Sequence, residues 1–75
     1  MNKQRRQRLN EGIKKLDEVL DIFKDILNDE ENAFDSLSEG LQQTARGDRM
    51  QDNIDILNSS IDSIEEILSD LEDVD

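Results

Sequence analysis

Any chemistry in this chain falls to carboxylates, amines and hydroxyls, because its 75 residues include no His and no Cys. An imidazole base, a thiol nucleophile, a disulfide framework and a Cys/His zinc site are therefore excluded. The carboxylates are plentiful, with 20 Asp and Glu against 9 Lys and Arg for a net charge of −11. General acid–base work needs a cleft that drives two such groups apart in pKa, and most of these acids fall on outward helical positions. No catalytic residue is assigned, and the chain reads as a non-enzyme with no cofactor. Calcium suits so acidic a chain, but the loop chemistry fails. Setting Gly40 at the sixth position of a helix-loop-helix site puts Leu37 at the third, where a ligand is required, and setting Gly47 there puts Gln42 first. No metal ligands are assigned either. Isolated glycines make no phosphate loop, and Arg46-Gly47-Asp48 reads as a helix start with its acid favouring the dipole.

Two sets of residues remain as binding candidates. Asp48, Asp55 and Asp62 recur every seven residues, with Asp52, Glu66 and Asp73 beside them, giving a negative stripe that suits a partner protein with a basic groove, in the manner of a DNA mimic. The second set is the joint between two helices, where Ser38, Gln42, Thr44, Arg46 and Arg49 are of the types that recognise a phosphate or a base. Direct nucleic-acid binding is not expected, since the overall charge repels phosphate and the basic N-terminus has no interleaved aromatic for stacking.

These residues ride on two heptad runs. Leu9, Ile13, Leu16, Leu20, Phe23 and Leu27 step by 4 and 3, and the phase continues through Glu30 to Phe34, Leu37 and Leu41. Met50, Ile54, Leu57, Ile61, Ile64, Leu68 and Leu71 repeat the pattern. Val19, Ile26, Ala33, Ile67 and Val74 widen both stripes beyond what a two-stranded coil needs. The reading is all-α: a single domain with a first helix over about 3–37, a joint at about 38–45 where Gly40 and Gly47 stop and restart helices, and a second helix over about 46–73, capped by Asp48 or Thr44. Residues 1–15 carry six basic groups and one acid, while residues 16–75 carry three basic groups and 19 acids. An antiparallel hairpin sets the basic start beside Glu65, Glu66, Asp70, Glu72, Asp73 and Asp75. Two such coiled-coil-like hairpins would bury their wide stripes in a four-helix bundle, so a homodimer is expected. No apolar run is long enough for a membrane span.

The segments Asp29-Glu30-Glu31, Phe34 to Gln42, Arg46-Gly47-Asp48, Met50 and Ile61 to Glu66 resemble small acidic helical proteins encoded by phages and prophages of Gram-positive bacteria. The resemblance implies a viral accessory protein in the cytoplasm of an infected host bacterium, where such proteins often inhibit host defence or nucleic-acid-handling machinery. The basic joint leading into a long helix is also similar to viral sponge proteins that sequester cyclic nucleotides. Three functions are thus expected in order: an anti-defence inhibitor acting through the acidic stripe, a sponge for a nucleotide messenger at the joint, and a structural adaptor pairing helices through Ile54, Ile61 and Leu68.

Overall fold

A computed structural model describes residues 1–75 and is all-α, without strands: α1 spans Lys3–Asp35, α2 Glu39–Gln42 and α3 Ala45–Glu72. Asn2 opens α1, its side chain accepting from the Arg5 N–H at 2.8 Å. Helix α3 is capped by Thr44, which accepts from the Gly47 N–H, so Asp48 lies inside the first turn and its charge meets the helix dipole. Between the candidate caps, Thr44 is therefore the one used.

The joint differs from its sequence reading. Residues 39–42 form a single turn of helix, capped by Ser38 through the Leu41 N–H. Neither glycine acts as a helix stop, since no glycine has a positive φ. Instead α1 ends where Ser36 folds back, its N–H at 3.0 Å and its hydroxyl at 2.8 Å both donating to the Asn32 carbonyl. Gln42 then donates from Nε2 to the carbonyls of Phe34 and Leu37 at 3.2 and 3.1 Å. The Phe34 carbonyl also accepts from the Leu37 N–H at 3.0 Å, and the Leu37 carbonyl lies just beyond α1, so one side chain ties the end of the helix to the turn that follows. Gly47 is demanded by packing: a Cβ there would stand 2.5 Å from the Gln42 carbonyl carbon.

Helices α1 and α3 pack along the two heptad seams and run antiparallel, as the charge distribution predicts. Leu20, Ile61 and Leu68 form the buried centre, with Ile13, Leu16, Phe23, Leu27 and Ile64 packed around it. Met50 and Ile54 continue the buried row toward the joint. Two ion pairs join the helices, Arg6 to Asp75 at 3.3 Å and Lys24 to Glu65 at 3.5 Å. Of the acids expected opposite the basic start, Asp75 alone reaches it; Glu65 pairs further along. Both pairs are exposed, Asp75 fully so, and the half-exposed Lys24–Glu65 pair contributes about 0 to 1 kcal/mol, so the apolar seam sets the stability. No helix is long and apolar enough to cross a membrane.

The hairpin is a rod, 58 × 15 × 13 Å, with a radius of gyration of 17.3 Å. A compact chain of this length would have a radius near 11 Å, or about two-thirds as much. One layer of helices two wide leaves every core residue near a surface, and no side chain is completely buried.

Candidate interaction surfaces

Asp48, Asp52, Asp55, Asp62, Glu66 and Asp73 are all exposed on α3. They occupy its outer face, turned from α1, because they fall between the seam positions Met50, Ile54, Leu57, Ile61, Ile64 and Leu68. None takes part in an ion pair, the three pairs of the hairpin being Arg6–Asp75, Lys15–Glu11 and Lys24–Glu65. From Asp48 to Asp73 the stripe covers about 38 Å of helix at 1.5 Å per residue. That gives one charge per roughly 7 to 8 Å, against one per about 3.4 Å of axis for a DNA strand. The stripe has the sign and the extended form of a phosphate ladder at about half its linear density. No group of three acids stands close enough together to hold a metal ion.

The five joint residues have different fates. Ser38 caps α2, Gln42 closes the end of α1, and Thr44 caps α3 while its hydroxyl donates to the Leu41 carbonyl at 2.5 Å. Their polar groups are engaged in holding the turn. Arg46 and Arg49 are exposed on the first turns of α3 and form no ion pair. The arrangement leaves two guanidinium groups for a ligand, rather than five converging side chains.

A third surface was only half visible in the sequence. Val19, Ile26 and Ile67, expected to widen the stripes, lie exposed along one flank of the hairpin, and Ile22 and Ile56 join them at 57% and 62% exposure. Ile26, Glu30, Asn53, Ile56 and Leu57 line a shallow groove there, of about 320 Å³, formed by both helices. Glu30, the one acid on the α1 seam, is half-buried in this groove and makes no hydrogen bond or ion pair. The opposite flank carries Lys24 and Glu65 and is polar. In the sequence Ile22 and Ile56 are masked, because their columns also contain Lys15, Asp29 and Asp70, which break the apolar pattern.

Compared with protein-family models, with curated proteins and with solved structures, the chain matches none.

Proposed function

We propose that this chain is a non-enzymatic binding protein that works as a pair of hairpins in a four-helix bundle, presenting the acidic outer face of α3 to a basic partner protein. The observation behind this reading is the segregation of charge from apolar surface. The outer face of α3 bears six unpaired carboxylates and no base, whereas one flank of the hairpin carries the exposed Val19, Ile22, Ile26, Ile56 and Ile67 with three acids, Asp29, Glu30 and Asp70. A chain that needed charge for solubility alone would gain from spreading its acids more evenly over both surfaces. An acidic rod competes with nucleic acid for a basic groove through sign and shape, which makes a nucleic-acid-handling or defence protein of a host bacterium the fitting target. The choice of a phage setting in the cytoplasm rests on the resemblance of the sequence to small acidic phage proteins. The nucleotide-sponge alternative is weaker, because Ser38, Gln42 and Thr44 are already bonded within the turn.

Capture from a Gram-positive lysate tests the acidic face. Replacing Asp48, Asp55 and Asp62 together with Asn is expected to reduce the captured partner about tenfold, at roughly 0.5 kcal/mol per charge, with helicity by circular dichroism unchanged. Raising the salt should release the partner from the unaltered protein. Undiminished capture by the triple variant, or capture indifferent to salt, would sink the proposed contact.

A further inference from the structure

The apolar flank of the hairpin has the periodicity of a second seam. On α1, the steps from Gly12 through Lys15, Val19, Ile22, Ile26 and Asp29 alternate 3 and 4, the rhythm of a helix face. At 100° per residue this row is turned by about 100° from the seam that faces α3, which is where a square four-helix bundle places its other neighbouring helix. Helix α3 continues the flank with Asn53, Ile56, Ser60, Ser63, Ile67 and Asp70. Of the 20 carboxylates in the chain, only Asp29 and Asp70 stand in these two rows. Glu30 also lines the groove on this side, so the face that two such negative molecules would have to bring together carries three acids.

We propose that a second copy of this chain docks on this flank, α1 against α1 and α3 against α3, about a two-fold axis perpendicular to the rod; the proposal specifies the bundle put forward above and is independent of the acidic-face contact. The rows are self-complementary when run against their own reverse. On α1, Lys15 meets Asp29 of the second copy, Val19 meets Ile26, and Ile22 meets itself, all about a centre at residues 22–23. Glu30 falls at the same level as Asp29 and gains the cation it lacks inside the hairpin. On α3, Ile56 meets Ile67, Asn53 meets Asp70 and Ser60 meets Ser63, about a centre at residues 61–62. A single axis must serve both helices, and the hairpin register allows it. The paired residues Arg6 and Asp75, and Lys24 and Glu65, have numbers summing to 81 and 89, so the level of residue 22–23 on α1 falls between about residues 58 and 67 on α3. The α3 centre at residues 61–62 lies inside that span, about five residues or less from either limit, roughly 8 Å at most.

An axis parallel to the rod would set α1 against α3 of the second copy and fits worse. Lys15 would still meet an acid, Asp70, but Ile22 would face Ser63 and Asp29 would face Ile56. The perpendicular axis also carries the two basic N-terminal ends to opposite ends of the assembly.

Exposed area and a glycine support the same occupant. The chain exposes 5766 Å², whereas a compact monomer of 8.7 kDa would expose roughly 4,700 Å². The surplus, on the order of 1,000 Å², is comparable to the approximately 800 Å² that each partner buries in a standard stable interface. Gly12 costs helix stability, about 1 kcal/mol relative to Ala, and a Cβ there would meet nothing within 4 Å inside the hairpin. Close approach of a second α1, with Ala33 opposite, gives that glycine a use. Lys15 now pairs with Glu11 at 3.2 Å across two exposed side chains, a weak partnership that it can exchange.

Charge reversal followed by sedimentation equilibrium tests the docking. Lys15→Glu and Asp29→Lys each place like charges together at two symmetric points, and each is expected to raise the dimer dissociation constant at least about tenfold. The double variant K15E/D29K should restore it. Both residues are exposed in the hairpin, and circular dichroism will report unchanged helicity in all three variants. An unaltered chain that sediments as a single 8.7 kDa species at on the order of 100 µM would overturn both the bundle and the docking face. A native dimer whose double variant stays as weak as the singles would overturn this geometry alone. Loss of lysate capture in the Asp48, Asp55 and Asp62 variant, with dimerisation intact, would leave it standing.

Discussion

Gly47 and Gly40 lie seven residues apart and do different work. At Gly47 an added methyl would drive into the Gln42 backbone, whereas at Gly40 it would meet nothing within 4 Å. Gly47→Ala is expected to destabilise the hairpin by about 1 to 3 kcal/mol, the usual penalty for overpacking. Gly40→Ala should be neutral or stabilise by up to about 1 kcal/mol through its helical preference. Thermal unfolding of the two variants in parallel gives the contrast, and equal effects would mean that the close approach of α2 to α3 does not constrain the joint. Both glycines look alike in the sequence, as breaks between heptad runs. Their difference depends on where the Gln42 carbonyl ends up, which no local pattern encodes. The same holds for Ser38, Gln42 and Thr44, whose side-chain types suit a ligand equally well but are spent on the ends of three helices.

At the scale of the elements, the apolar seam was legible nearly residue by residue. Leu9 through Phe34 and Met50 through Leu71 are buried or half-buried positions of α1 and α3, because the 4-and-3 rhythm follows directly from helical geometry; Leu37 is half-buried beyond the end of α1, and Leu41, on the same phase, is exposed because the helix has ended before it. Helix α2 was not legible, since four residues are too few to show a period. The charge asymmetry along the chain correctly indicates antiparallel pairing, yet its energetic part is small. Leu20→Ala should cost about 2 to 5 kcal/mol, as expected for a buried leucine, while Glu65→Gln, which removes the exposed pair with Lys24, should cost less than about 1 kcal/mol. Chemical denaturation distinguishes these, and a comparable loss from both would make the ion pairs, rather than the seam, the source of the pairing.

As a whole molecule the hairpin is long and thin, 58 × 15 × 13 Å. Its buried centre is a single row of Leu20, Ile61 and Leu68 with partly covered neighbours, and its apolar flank continues in the same heptad rhythm. The sequence pointed to a wide stripe through Val19, Ile26 and Ile67. The second seam became visible only when the fold placed Ile22 and Ile56 on the same side. The acidic face was legible as an outward stripe from the spacing of Asp48, Asp55 and Asp62, and its freedom from internal ion pairs was not, since that depends on which bases the hairpin brings near. The proposed dimerisation through the apolar flank would leave that acidic face outward on both copies, so the two proposed roles do not compete for surface.

The absence of native cysteine makes the central claim, that the hairpin is half of a two-fold assembly, directly measurable. Ile22→Cys places a lone thiol next to the proposed axis, opposite its own copy, while Asp55→Cys places one on the outer face. Under mild oxidation, with the products resolved by non-reducing electrophoresis, the Cys at position 22 is expected to give a disulfide-linked dimer with helicity intact, at concentrations where the Cys at position 55 leaves single chains. Equal cross-linking at both positions, or none at position 22, would contradict the account.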